Sequence, residues 1–378
     1  MLRELGQKNV SIPLTQKLWD INWGFVLLIC ATASIGFLML YSAANGSIEP
    51  WASRQMLRFA IGLSLMFAIA LIDVRIFLKL AYPAYFFALA LLGAVEVMGH
   101  IGMGARRWID LGPFHIQPSE VMKIAIILAL ARYFHNIGLE DTRRIRWLVV
   151  PVLLVIMPVA LVLRQPDLGT ALLLAAGAGI VFFAAGVRLW KFALLAGIAI
   201  PGAFFAFQFL HDYQKKRVLT FLNPENDPLG AGYHIMQSKI ALGSGGVFGK
   251  GLLQGTQSHL NYLPEMRTDF IFSMLAEEFG MVGALLLFAL YVLLIAYGYA
   301  IAYRSRNHFG KLLAIGLTGV FFLYVFINVA MVMGLVPVVG VPLPLISYGG
   351  TSMLTLLISF GLVMSVYIHR DIDIPGKR

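Results

Sequence analysis

Three groups of ionisable residues stand where an apolar chain tolerates them least. Charge at depth in a membrane is costly, so such residues are candidates for function. The first group is Gln117-Pro118-Ser119-Glu120-Val121-Met122-Lys123, at the head of an apolar run. Pro118 suits a first helical turn, and the three-residue spacing puts Glu120 and Lys123 on one helical face. They make either a local ion pair that eases membrane insertion or a pair lining a polar cavity. The second group is Glu265, Arg267, Thr268 and Asp269, crowded at the start of another run. An acidic residue in a first helical turn complements the helix dipole. Among so many polar neighbours, the same carboxylate is also suited to act as a general base on a substrate hydroxyl. The third group is Glu277-Glu278, about 12 Å further along that helix. Adjacent carboxylates cannot face one direction, and hydrogen bonding to other spans is their expected role.

Weaker groups surround these. Arg106, Arg107 and Trp108 follow one apolar run, either as an interfacial belt with snorkelling cations or as a phosphate site for arginine's forked donors. Gln165, Asp167 and Thr170 form a further polar group. Pro337, Gly340, Pro342, Pro344, Gly349 and Gly350 interrupt a late hydrophobic stretch, with Ser347, Tyr348 and Thr351 among them. Broken backbone at membrane depth is tolerated where it is buried or lines a cavity. The glycine-rich segment Gly243 to Gly251 resembles a phosphate loop but lacks the Lys-Ser/Thr ending and the strand–helix setting, so a nucleotide reading is rejected. The eight histidines have no ligand spacing, and no Ser/His/Asp or cysteine cluster exists. A zinc enzyme or a serine hydrolase is unsupported, and no dedicated metal site is expected.

The elements that must position these residues are helices in lipid. Of 378 residues, 59% are hydrophobic and only 13% are charged, too few charges for a soluble domain. The net charge of +10 is scattered among apolar runs rather than gathered in a stripe, which argues against nucleic acid. The single cysteine, Cys30, allows no intrachain disulfide. No cleavable signal is read at the N-terminus. Runs long enough to span a bilayer fall at 22–43, 56–74, 79–100, 117–136, 147–164, 169–187, 191–210, 269–302, 312–334 and 347–368. The expectation is an all-α polytopic membrane protein with about ten transmembrane helices and a single membrane domain over 1–378. Placing the N-terminus in the cytoplasm gives cytoplasmic loops the larger share of Lys and Arg. Both termini are then cytoplasmic, and residues 211–268 form one large external loop between the seventh and eighth spans. An amphipathic segment with Ile235, Met236, Ile240 and Leu242 lies on the membrane or covers a cavity, and Gly243, Gly245 and Gly246 end it. Apart from the deep glutamates, the polar groups gather on the external side. They outline an outward-facing cavity suited to a substrate with hydroxyls, phosphates and a lipid tail.

These segments resemble the SEDS family (shape, elongation, division and sporulation). They are the Gly-Ala-x-Arg-Trp-Ile segment ending at Ile109, the Gln-Pro-Ser-Glu-x-x-Lys segment ending at Lys123, and Gln165 to Thr170. They continue with Gln237 to Ala241 before Gly243-Ser244-Gly245-Gly246, with Thr268 to Phe272, and with Val341 to Pro344 before Ser347 to Gly350. Gly255-Thr256-Gln257-Ser258 and Pro337 to Pro342 resemble the elongation-type branch. One departure is Met266-Arg267, where relatives often carry Arg-His.

The resemblance implies ten transmembrane helices and a peptidoglycan glycosyltransferase that polymerises lipid II during cell elongation. It implies that Asp269 deprotonates the sugar hydroxyl of one lipid-linked disaccharide. That hydroxyl attacks the anomeric carbon of the next, and undecaprenyl pyrophosphate leaves. Glu120 and Lys123 match a family pair lining the central cavity. Arg107 and Trp108 match positions important for activity, with Arg107 expected at the pyrophosphate. Gln165, Thr268, Glu265 and Ser347 complete the expected cavity. A divalent cation, Mg or Mn, is conceivable with the pyrophosphate. The implied partner is a class B penicillin-binding protein, and the implied location is the bacterial cytoplasmic membrane. The rival expectations are a lipid II flippase, which needs access from both faces, and a non-catalytic scaffold.

Overall fold

The structure is a computed structural model describing residues 13–98, 100–102, 105–110, 115–208, 215, 219–223, 231–259 and 266–376. It is mostly helical. The helices are α1 (Leu14–Trp19), α2 (Trp23–Ala43), α3 (Trp51–Leu71), α4 (Val74–Met98), α5 (Pro118–His135), α6 (Leu139–Thr142) and α7 (Val149–Arg164). After them come α8 (Leu168–Ala184), α9 (Leu189–Gln208), α10 (Ala231–Ser244), α11 (Thr256–His259), α12 (Ile271–Arg304), α13 (His308–Val332) and α14 (Gly350–Ile368). Each of the ten apolar runs read from the sequence is one of these helices. Seven described spans are long and apolar enough to cross a membrane: Trp23–Ala43, Trp51–Leu71, Val74–Glu96, Ile145–Arg164, Ile271–Arg304, His308–Val332 and Gly350–Ile368. The α5 helix carries charge, and α8 is a shorter apolar helix.

The expectation of helices alone misses one element. Between α4 and α5 lies a three-stranded antiparallel sheet of β1 (His100–Gly102), β2 (Ala105–Asp110) and β3 (His115–Ile116), in the order β1-β2-β3. Short strands around a turn pair their own backbone groups, which a segment emerging from lipid requires. Trp108 lies opposite His100, and Ile109 opposite Ile116.

Two hydrophobic clusters fill the interior. One joins α2, α3, α12 and α14 through residues such as Phe25, Met66, Tyr291 and Phe360. The other joins α4, α5, α8 and α13 through Tyr85, Ile126, Ala178 and Phe309. The outer faces of many spans carry exposed leucine, isoleucine and phenylalanine, as helices in lipid do.

The α12 helix is not one rod. Gly280 sits at φ 63°, ψ −159°, and breaks it into Ile271 to Phe279 and Met281 to Arg304. A further difference lies at its start. The helix begins at Ile271 with Phe270 as its cap and has no acidic residue in its first turn. Asp269 therefore stands in the preceding turn and not in the helix, because residues 266–270 are held from outside.

Candidate active site

The Glu120–Lys123 pair forms as the spacing predicts, with Lys123 Nζ 2.7 Å from Glu120 Oε1. The ion pair lines a cavity between α5, α13, α14 and residues 342–347. Glu120 is 8% exposed and Lys123 4%. The Tyr324 hydroxyl donates to Glu120 at 3.0 Å, and the Thr355 hydroxyl lies 3.1 Å from its other oxygen. Lys123 Nζ also sits 4.3 Å from the centre of the Tyr324 ring. Buried charge is tolerated where it is paired and hydrogen-bonded, and this pair meets both conditions while facing open space. Ser347 and Ser352 add hydroxyls to the wall.

Asp269 is not among the residues lining that cavity, but one side chain joins the two. The Ser347 hydroxyl donates to the backbone oxygen of Thr268 at 2.5 Å and itself lines the cavity. The backbone N–H of Tyr348 donates to the Arg267 oxygen at 2.9 Å. Asn328 Nδ2 donates to the Asp269 oxygen at 2.9 Å and to the Val341 oxygen at 2.6 Å. Three successive residues, Arg267, Thr268 and Asp269, are thus pinned by their main chain. The Asp269 side chain is left part-exposed. A β-carbon on Gly340 would lie 3.4 Å from Asp269 Oδ2, so the segment opposite the carboxylate presents bare backbone.

The interrupted stretch after α13 is satisfied group by group, which broken backbone in lipid requires. Gln55 Nε2 donates to the Ser347 oxygen at 3.1 Å, Tyr291 to the Pro344 oxygen at 2.7 Å, and the Leu343 N–H to the Ser347 hydroxyl at 2.7 Å. Arg267 stacks over Trp51 at 4.0 Å, and Arg58 over Tyr348 at 4.8 Å.

Arg107 and Gln165 form a second cluster at the α7–α8 turn. Arg107 donates to the backbone oxygens of Gln165 at 3.3 Å and Pro166 at 2.7 Å, and stands 3.7 Å from Asp167. Asp167 caps α8 by accepting from the Thr170 N–H at 3.2 Å and its hydroxyl at 2.9 Å. Gln165 is buried and donates to the Leu92 oxygen at 2.9 Å. Trp108, next to Arg107 in β2, is half-buried. This cluster meets the Asp269 region through the α13–α14 connection, because Gly169 packs on the Val339 carbonyl. Glu265 lies outside the described residues. Among the described residues, no group of three or more His, Cys, Asp or Glu could hold a metal ion.

Residues 22–372 match the cell cycle protein family FtsW/RodA/SpoVE. The chain belongs to this family. It is 44% identical to the peptidoglycan glycosyltransferase MrdB of Escherichia coli K12, over 95% of this chain and 97% of that one. It is 33% identical to the peptidoglycan glycosyltransferase RodA of Treponema pallidum, covering 92% and 97%. Among solved structures, the rod shape determining protein RodA of Thermus thermophilus aligns with a TM-score of 0.71 at 32% identity, covering 93% of this chain and 98% of that one. A chain from a peptidoglycan synthase complex, described for its structural coordination of polymerization and crosslinking, aligns with a TM-score of 0.79 at 34% identity, covering 93% and 98%. The fold of this FtsW/RodA/SpoVE member is therefore RodA-like.

The family's segments converge unevenly in this chain. Glu120, Lys123 and Ser347 meet at the cavity, with Thr268 and Asp269 attached through Ser347. Arg107 and Gln165 gather separately, with Trp108 adjacent to Arg107 in β2. Tyr324, Asn328, Thr355 and Gln55 were absent from the sequence reading. Tyr324 and Asn328 are polar residues four apart inside an apolar run, and that spacing was their available signal.

Proposed function

We propose that the chain is a peptidoglycan glycosyltransferase that polymerises lipid II into glycan strands on the external face of the bacterial cytoplasmic membrane. The observation that carries this is Asp269: a part-exposed carboxylate on a main chain pinned by Asn328 and Ser347, next to a cavity holding a buried ion pair. In this reading the Asp269 carboxylate takes the proton from the sugar hydroxyl of one lipid-linked disaccharide as that oxygen attacks the anomeric carbon of the next. The bond from that carbon to the pyrophosphate breaks, and undecaprenyl pyrophosphate leaves with the electron pair. Glu120 and Lys123 orient the sugar in the cavity. Arg107 faces the dianionic leaving group, since its position ties the sheet to the α7–α8 turn beside the Asp269 region. A divalent cation, Mg or Mn, would enter with the substrate's pyrophosphate, and no step is assigned to it.

The proposed topology adds α5, α8 and α9 to the seven spans, giving ten crossings with both termini in the cytoplasm and residues 211–268 outside. The partner in this reading is a class B penicillin-binding protein, which cross-links the product. Purified full-length chain supplied with that partner and lipid II is expected to yield glycan strands. Movement of lipid II between leaflets without strand formation would make the chain a flippase. Complex formation with neither activity would make it a scaffold.

A further inference from the structure

The Glu277 carboxylate is fully buried and does not line the cavity beside Glu120. It is 0% exposed. Lys250 Nζ donates to Glu277 Oε1 at 2.7 Å, the Thr256 hydroxyl at 3.1 Å and the Gln257 N–H at 3.0 Å. Lys250 belongs to the glycine-rich segment rejected above as a nucleotide site, and Thr256 and Gln257 open the short helix α11 that follows it.

That loop closes the break in α12 with its own main chain. The N–H groups of Lys250 and Gly251 donate to the Glu277 and Glu278 oxygens at 3.0 and 2.9 Å. The N–H groups of Met281 and Val282 donate to the Gly246 and Val247 oxygens at 3.0 and 3.1 Å. The orphan groups on both sides of the Gly280 break thus find partners in residues 246–251. The approach is so close that a β-carbon on Gly249 would collide with the Glu278 backbone, and one on Gly280 with Gly249 and Val247. Gly249 and Gly280 also hold positive φ, at 80° and 63°, where glycine is at ease.

The consequence falls on Asp269. The broken-off piece of α12, Ile271 to Phe279, begins immediately after the Asp269 turn. Its side-chain anchors include Ser273 to Ser238 at 2.7 Å, Glu278 to Ser42 at 2.5 Å, and the Glu277 clasp. Of these three, the clasp is the one that reaches the loop, and it adds to the main-chain bonds from Lys250 and Gly251. Six residues of helix already put Glu277 about 9 Å from Ile271, and its carboxylate is enclosed by Lys250, Thr256 and Gln257, so it does not touch the atoms Asp269 acts on.

We propose that Glu277 is a positioning residue for Asp269: by clasping Lys250, Thr256 and Gln257 beside the Gly280 break, it fixes the short helix that leads out of the Asp269 turn and so, together with the Asn328 and Ser347 bonds, sets where the Asp269 carboxylate lies. This rests on the reading of Asp269 as the base. Aiming a base tightly affects the chemical step more than substrate capture, and misplacement by about 1 Å costs about 100-fold in rate.

The test is steady-state polymerisation of lipid II by the purified full-length chain with its partner, corrected for folded protein by a thermal-unfolding assay. Glu277→Ala is expected to lower kcat about 100-fold and Lys250→Met about tenfold, each with KM within about threefold of wild type. Lys250→Arg is expected to restore most of the rate. The Glu277→Ala, Lys250→Met double variant should be no worse than Glu277→Ala alone. A kcat per folded enzyme within twofold of wild type in both single variants overturns the proposal, as does a rise in KM with kcat unchanged. Should Glu277→Ala fail to fold, Lys250→Met decides, since its side chain sits near the surface. Asp269→Ala is run alongside. If that variant polymerises normally, the base assignment has failed; if it is inactive while the clasp variants are normal, only the clasp has failed.

Discussion

Two buried carboxylates in this protein each hold a lysine at 2.7 Å, and they do different work. Glu120 pairs with Lys123 on its own helix, takes further hydrogen bonds from α13 and α14, and faces a cavity. Glu277 pairs with Lys250 from a distant loop, and its partners close a gap in the main chain. Ion-pair distance does not distinguish the two, and both carboxylates are buried. What distinguishes them is that Glu120 lines the cavity between α5, α13 and α14 and Glu277 does not. In the proposed reading the Glu120 pair meets the ligand, whereas the Glu277 pair ties a loop to the broken helix.

The largest difference is expected from removing the lysines. Lys123→Met leaves Glu120 charged, enclosed and facing the cavity, which costs about 3 kcal/mol of stability or more. In the proposed reading it also removes sugar binding, so KM rises together with the loss of kcat. Thermal unfolding and a substrate titration measure both. A KM unchanged in folded Lys123→Met would remove the cavity pair from the substrate site. Lys250→Met, by contrast, should leave KM nearly alone.

Next comes Gly280→Ala. It places a β-carbon against the Gly249 and Val247 backbone at a φ that side chains avoid. A destabilisation of about 2 kcal/mol is expected, read as a drop in the unfolding midpoint. Wild-type stability would mean that the break is not tightly closed.

The smallest expected effect is Tyr324→Phe, which removes one hydroxyl from Glu120 while keeping the ring beside Lys123. About 1 kcal/mol is expected, with a modest change in KM. An effect as large as that of Lys123→Met would mean that the hydroxyl contacts substrate directly.

The two regions also differ in how far the sequence revealed them. Glu120 and Lys123 lie three apart in one helix, so their pairing is local and readable. The hydroxyls that complete the site, from Tyr324 and Thr355, come from more than two hundred residues away, and no local pattern joins them. All ten apolar runs are helices because lipid imposes one length and one composition. The short sheet at 100–116 was missed because its strands are too brief to show alternation. The break at Gly280 was missed for another reason. A lone glycine in an apolar run looks like ordinary helix, and its partner is a loop earlier in the chain. That same loop looked like a phosphate binder because close backbone approach and anion binding both select glycine. The hydrogen bond to another span expected of Glu277-Glu278 is made by Glu278, with Ser42 of α2. Glu277 bonds the loop instead, and its bearing on Asp269 requires the break to be seen. Asp269 was read as the opening residue of a helix. It stands in the turn before, because Ser347 and Asn328 hold that main chain from outside.

The central claim is that Asp269 performs the proton transfer of glycan polymerisation. The most direct measurement is strand formation from lipid II by the purified full-length chain with its partner, comparing wild type with Asp269→Ala and Asp269→Asn at matched amounts of folded protein. The account predicts that both variants lose at least about 100-fold of the rate, as removal of a general base does, while their unfolding midpoints stay near wild type. Strand formation by folded Asp269→Ala at the wild-type rate would contradict it.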